Sequence, residues 1–133
     1  MKAVLFGSIG TLIETSDIQR KSFNHAFKRE GLNWYWSRKT YSKLLKKSGG
    51  IRRIEDFARQ SGESVNAKKI WKSKTDIFNK TIISNSISAR KGVLKIFKYA
   101  KKNNIEIGLV SSTSKKNITT VFKALDGQIS REE

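Results

Sequence analysis

The sequence predicts an α/β fold in which parallel strands alternate with helices and an all-helical segment interrupts the pattern. The apolar run Ala3–Phe6 ends in a glycine, which is typical of a buried parallel strand that breaks into a loop. A second apolar run, Ile105–Val110, comes late in the chain and is followed by a hydroxyl-rich loop. Helical periodicity dominates between the two runs. The order indicates a βαβ crossover with a helical insert directly after its first strand.

The helices are predicted from apolar spacing and from residues that start or stop a helix. Ser16 or Asp17 is expected to cap the first helix, which should end at Gly31. Further helices are expected at about 38–47, 50–60, 66–82, 93–100 and 117–125. The loop around 84–88 separates the insert from the returning chain. We therefore predict a core made of residues 1–14 and 88–133, and a helical insert over 15–87.

Length and composition narrow the class of protein. A chain of 133 residues is within the range of one domain. It has no cysteine, which excludes disulfides, thiolate metal sites and cysteine nucleophiles, and an intracellular, cytoplasmic location is expected. The run Ala3–Ile13 is broken by glycines and no small-x-small cleavage site follows it, which argues against a secretion signal. No apolar run approaches the ~20 residues of a membrane-spanning helix, so no membrane partner is expected.

The net charge of +17 has two interpretations. Such a charge favours association with polyanions, including nucleic acid. Lysine supplies 20 of the 28 basic residues, and the lysines are spread along the chain with several pairs and no long basic block. A general compositional bias explains this pattern better than a dedicated nucleic-acid face, because aromatic and basic residues do not interleave in a nucleic-acid motif.

Two loops follow the carboxyl ends of the predicted strands, where α/β sheets bind ligands. These loops are Gly7-Ser-Ile-Gly-Thr11 and Ser111-Ser-Thr-Ser114. On neighbouring parallel strands they would present backbone N–H groups and hydroxyls to one anion, with the second loop at a helix N-terminus. The alternative is a pair of ordinary strand-to-helix turns.

Several ordered segments resemble one enzyme family, and their common spacing is more specific than either loop. The segment Gly7-Ser-Ile-Gly-Thr-Leu12 occupies the place of an Asp-x-Asp-Gly-Thr-Leu motif. Other matching segments are Gln19-Arg-Lys-Ser-Phe-Asn24, Gly31-Leu-Asn-Trp34, Ser48-Gly-Gly-Ile-Arg-Arg-Ile54, Ile87-Ser-Ala-Arg-Lys-Gly-Val-Leu94 and Leu109-Val-Ser-Ser-Thr-Ser-Lys-Lys-Asn117. On these residues the chain resembles the haloacid dehalogenase (HAD) superfamily, in the branch of CbbY-like and β-phosphoglucomutase-like sugar-phosphate phosphatases. The resemblance implies a partial HAD-like Rossmannoid core with an inserted helical cap.

The resemblance also implies a reaction whose carboxylates are missing from this chain. In the family, one aspartate attacks phosphorus and a second aspartate, two residues later, protonates the leaving oxygen. Gly7 and Ile9 stand at these two catalytic positions. The family also binds magnesium, and of its ligands this loop keeps only the backbone carbonyl of Ile9, which is too little for a hard octahedral cation. We therefore expect no intact metal site and no tightly bound magnesium.

Other family positions keep groups that bind but do not react. By resemblance, the phosphate-binding hydroxyls are those of Thr11, Ser111 and Ser112. In the cap, Arg53 stands at the arginine of the family's substrate-reading element, and Ile51 stands at the lysine of that element. Gln19 stands at the position of a hinge histidine. His25 is the single histidine; it falls outside the family pattern and is expected on a helix surface.

Two functions are compatible with these residues. The first is a phosphatase-family protein that recognises a phosphorylated small molecule but is inactive or nearly so, since the family's lysine and acidic-pair motifs would also follow residue 133. The alternative is a basic module that binds polyanions, nucleic acid or a partner protein, which a steep salt dependence would reveal. In the family the first strand lies mid-sheet, so its outer edge here should invite self-association or a complementing chain.

Overall fold

A computed structural model describes residues 2–7, 9–85, 87–111 and 113–129 of the chain, and the predicted order of elements is confirmed in them. The elements are β1 (Ala3–Gly7), α1 (Ser16–Arg29), α2 (Arg38–Leu44), α3 (Gly50–Ser61), α4 (Ala67–Ser84), α5 (Val93–Lys102), β2 (Glu106–Val110) and α6 (Lys115–Ile129). Two strands and six helices make an α/β fold. Within the part of the chain described, no helix is long and apolar enough to span a membrane.

The start of α1 differs from the prediction. Ser16 and Asp17 both lie inside the helix instead of capping it. The Asp17 carboxylate accepts from Arg20 at 3.0 Å and forms ion pairs with Lys21 at 3.3 Å and Arg38 at 3.2 Å. The hydrogen bond from Arg20 is the main reason why the pKa of Asp17 falls to about 2. Asp17 therefore links the first turn of α1 to the start of α2.

The two strands pair in parallel with Gly7 opposite Val110. Because side chains alternate along a strand, Leu5 and Val110 project from one face and Phe6 from the other. Phe6 is buried and its ring meets that of Phe97, in α5, edge-on at 5.4 Å. Leu5 and Val110 remain 68% and 64% exposed. The prediction that Ala3–Phe6 is a buried strand is therefore wrong at Ala3 and Leu5, which are exposed, while Val4 is half-buried and Phe6 is buried on the face that meets α5.

The chain divides into two compact units. Unit 1 consists of residues 1–15 and 82–133, and unit 2 of residues 16–81. Residue 82, where the chain returns to unit 1, lies inside α4, which continues to Ser84. The limits of 15 and 87 for a helical cap stay a prediction.

The core of unit 2 is an aromatic cluster. Trp36 is fully buried, and its ring centroid lies 4.8 Å from that of Phe23, 4.7 Å from Phe27 and 5.4 Å from Phe57. The side chain of Asn24 holds the backbone of Trp36. Its Oδ1 accepts from the Trp36 N–H at 2.8 Å, and its Nδ2 donates to the Trp36 carbonyl at 3.1 Å. Unit 2 thus has its own well-packed centre.

Candidate functional site

The loop after β1 places Gly7 beside the hydroxyl of Thr11. A Cβ built on Gly7 would lie 3.0 Å from Thr11 Oγ1, and both residues are exposed. Ile9 forms a parallel bridge with Ile13, and the Gly10 N–H donates to the Ile13 carbonyl at 2.8 Å. Gly10 has φ of +88°, a conformation that glycine adopts without steric cost. The predicted catalytic positions therefore occupy a tight turn at the end of the strand, with no ionisable side chain at either one.

Arg90 holds this loop in place, a role that the sequence did not predict. Its backbone N–H donates to the Leu12 carbonyl at 2.8 Å. Its guanidinium donates to the Gly10 carbonyl and lies 3.5 Å from the Glu14 carboxylate. The nearby Glu14 carboxylate is thus engaged by an arginine.

The loop after β2 is organised by hydroxyls. Ser111 Oγ accepts from the Thr113 N–H at 3.2 Å. Ser114 caps α6, because its Oγ accepts from the Asn117 N–H at 3.2 Å. Asn117 is buried and its Nδ2 donates to Thr113 Oγ1 at 3.1 Å. The predicted phosphate ligand Ser112 lies outside the described residues.

The parallel register brings the two loops to one end of the sheet. Gly7 is paired with Val110, so Ser111 follows at the same level as the turn that carries Thr11. The groups presented there by Thr11 and Ser111 are neutral hydroxyls, next to backbone N–H groups and the N-terminus of α6. Such a set suits an oxyanion, since both hydroxyls and helix N-termini donate to negative oxygen.

The same donor set does not fit a magnesium ion. Mg²⁺ is held through one or two carboxylates, and Gly7 and Ile9 supply none. Glu14 is paired with Arg90 instead. In the ranges that the structure describes, no three His, Asp or Glu side chains cluster in a way that could hold a metal.

A buried lysine in unit 2 is the polar feature that sequence reasoning missed. Lys74 is 5% exposed, and its ammonium donates to the side-chain oxygen of Gln19, the position predicted for the cap hinge. The ammonium lies 4.9 Å from the ring centroid of Phe23 and 5.0 Å from that of Phe78. Burial lowers the pKa of Lys74 to about 7, and the charge of Arg53 acts in the same direction. The sequence signal that could have indicated this buried lysine is its position four residues before Phe78, on an otherwise apolar face of the helix.

Arg53 is held by the backbone of the neighbouring helix. Its Nε donates to the Leu44 carbonyl at 3.1 Å and its Nη2 to the Lys47 carbonyl at 2.9 Å. The guanidinium also lies 5.7 Å from the ring centroid of Tyr41. Arg53 therefore fastens α3 to the end of α2, and its role in reading a substrate stays a prediction. His25 is exposed on α1, as expected.

Comparison with known proteins identifies the class. The family model for haloacid dehalogenase-like hydrolases matches residues 4–129, and the chain belongs to this family. Within it, the chain is similar to CbbY: it is 33% identical over 135 residues to the protein from Cereibacter sphaeroides and 31% identical over 127 residues to that from Rhodobacter capsulatus. These alignments cover 99% and 93% of this chain but 59% and 56% of the relatives.

The structural comparison agrees. A crystal structure of CbbY from Rhodobacter sphaeroides in complex with phosphate superposes with a TM-score of 0.87 at 30% identity. The match covers 99% of this chain and 60% of that one. A second structure, of a CbbY mutant in complex with xylulose-(1,5)bisphosphate, gives the same values. The chain thus spans less than two thirds of the length of these relatives.

Proposed function

We propose that this protein binds a phosphate ester at the end of β1 and β2 and does not hydrolyse it at the rate of an active family member. The ligand class is a phosphorylated sugar, because relatives have been crystallised with phosphate and with xylulose-(1,5)bisphosphate. The binding groups are the hydroxyls of Thr11 and Ser111 and the backbone N–H groups of the two loops. Ser112 is a further candidate from the sequence.

One observation supports the loss of hydrolysis. Gly7 lies at the end of β1, at the position of the nucleophilic aspartate in the family resemblance, and it has no side chain that attacks phosphorus. Ile9, at the position of the acid, has no proton to give to a leaving oxygen. Binding and turnover are therefore separable in this protein. The hydroxyls of Thr11 and Ser111 that would bind phosphate are present, whereas positions 7 and 9 have no carboxylate to react with it.

Binding and turnover are tested on the same purified chain. With magnesium and a panel of sugar phosphates that includes xylulose-(1,5)bisphosphate, we expect calorimetric binding but no phosphate release and no phosphorylated protein on acid quench. Turnover within tenfold of the ~10 per second of a typical enzyme would refute the proposal. Ser111→Ala should weaken binding by about ten- to a hundredfold, the value of one hydrogen bond to a charged group. Thr119→Ala, which removes an exposed hydroxyl of α6, is the matched control.

In the described part of the chain β1 pairs with β2 alone, and its other edge supports a partner at the sheet. Unpaired strand edges pair readily with another chain, and the face that carries Leu5 and Val110 is apolar and exposed. We propose that self-association or a complementing chain covers this edge and face. The interaction is independent of phosphate binding and is tested separately below.

A further inference from the structure

Unit 2 contains a cleft that is separate from the two sheet loops. It has a volume of about 510 Å³ and lies between α2 and α3, with Leu44 and Phe57 among its lining residues. This volume is within the range of ~300–1,000 Å³ that is usual for small-molecule sites.

The cleft is strongly unbalanced in charge. Its lining includes six cationic residues and a single acidic one, Asp56. The Asp56 carboxylate is already shared, at 3.3 Å from Arg59 and 4.0 Å from Arg52. Arg53 donates to backbone carbonyls, as described above. Four lysines of the lining form no ion pair with any described residue: Lys39, Lys43, Lys46 and Lys47.

This arrangement favours an anion in the cleft. Four ammonium groups around one concavity repel one another, and a ligand with several negative charges removes that repulsion at each of them. The cleft is therefore complementary to a ligand whose charges are multiple and closely spaced, which an isolated monoanion is not.

The residue types distinguish between classes of polyanion. The planar fork of arginine matches carboxylate and phosphate alike, whereas the lysine ammonium is a compact point charge that commonly binds phosphate. Single-stranded nucleic acid needs exposed aromatic faces for stacking. Phe57 is an aromatic residue of the cleft, but its ring is engaged edge-on with Trp34 at 5.0 Å and Trp36 at 5.4 Å. A lysine-rich lining with no free aromatic face therefore favours a phosphorylated small molecule over a carboxylate ligand and over single-stranded nucleic acid.

We propose that the cleft between α2 and α3 is a binding site for a small, multiply phosphorylated ligand, held by the ammonium groups of Lys39, Lys43, Lys46 and Lys47. The site goes beyond the proposed function, since it uses neither Thr11 nor Ser111 and its four lysines lie outside the segments that resemble the family. Arg53 also lines the cleft, but its guanidinium donates to the carbonyls of Leu44 and Lys47. The +17 charge of the chain would then have a specific local use in addition to its general effect on the surface.

The test measures binding of inorganic tripolyphosphate to the full chain by calorimetry at near-physiological salt. The cleft variant replaces four lysines by glutamine: K39Q, K43Q, K46Q and K47Q. A matched control variant makes the same change at four exposed lysines elsewhere in unit 2: K28Q, K68Q, K72Q and K80Q. Both variants lose the same net charge, so only position differs. Circular dichroism verifies that both are folded.

We expect one tripolyphosphate per chain, a loss of at least about tenfold in affinity in the cleft variant and a loss below about threefold in the control, since each exposed charge contact is weak but four act together. Equal losses in the two variants would overturn the proposal in favour of diffuse charge. Equally tight binding of inorganic monophosphate would overturn the need for multiple charges. Tighter binding of an acidic peptide or of a short single-stranded DNA, lost in the cleft variant alone, would assign the cleft to that class instead.

Discussion

Replacing Lys74 by methionine is expected to stabilise unit 2 near pH 6 and to destabilise it near pH 10. The pKa of this lysine falls from 10.5 to about 7 because its ammonium is buried. Each pKa unit corresponds to about 1.36 kcal/mol, so the charged form costs the native state on the order of 5 kcal/mol. Methionine is similarly long and unbranched and fills the same space without a charge.

The sign of the effect depends on pH through proton binding. Because the folded-state pKa of Lys74 is below its unfolded value, the unfolded chain binds more protons between about pH 7 and 10.5, and the stability of the natural chain rises with pH across that window. The substitution also leaves the buried oxygen of Gln19 without its donor, which costs about 1–3 kcal/mol at any pH. The net gain near pH 6 is therefore about 2–4 kcal/mol, and near pH 10 it becomes a loss of about 1 kcal/mol.

Urea unfolding at a series of pH values measures this difference directly. Lys80→Met, on the exposed side of the same helix, is the matched control for the loss of a lysine from α4. The lysine ¹³Cε resonances give a second readout, in which one should titrate near pH 7 and disappear in the variant. A Lys74 that titrates at its ordinary value, or a difference in stability that stays constant from pH 6 to pH 10, would refute the reasoning.

Three further outcomes are expected. Asp17→Asn should lower the free energy of unfolding near pH 6 by about 0.5–1 kcal/mol, a value reduced for solvent screening. The difference between the two chains should vanish as the pH falls from 3.8 through about 2, because the natural carboxylate then protonates. Acid titrations of both chains measure this difference. Trp36→Ala should cost about 3–5 kcal/mol in urea unfolding, since the ring is fully buried among aromatic neighbours, whereas Tyr35→Ala at an exposed position should cost little. Leu5→Lys should abolish concentration-dependent association in sedimentation velocity, and an unchanged profile would count against a partner at the sheet face.

The elements that could be predicted are those with local causes. The apolar run Ala3–Phe6 and the glycine after it predict a strand and its end. Gly31 and Gly62 follow the ends of α1 and α3 in the left-handed conformation that terminates helices. The parallel pairing of the two strands then follows from the long helical connection between them. The degree of burial of β1 did not follow, because it depends on how many layers surround the strand and not on the strand itself.

The parts of the candidate sites that could not be predicted depend on contacts between distant residues. Gln19 and Lys74 are 55 positions apart, and no local pattern pairs them. Arg90 reaches the β1 loop from 80 positions away. Arg53 was assigned by resemblance to a substrate, while the structure shows its hydrogen bonds to the carbonyls of Leu44 and Lys47, which only the packing of α3 on α2 brings within reach.

The division of the chain into two units has a spectroscopic consequence. All three tryptophans, Trp34, Trp36 and Trp71, belong to the continuous segment 16–81. Tryptophan fluorescence therefore reports on unit 2 alone and not on the sheet. If emission and the far-ultraviolet dichroism lose their native values at different temperatures, the two halves melt as separate cooperative blocks.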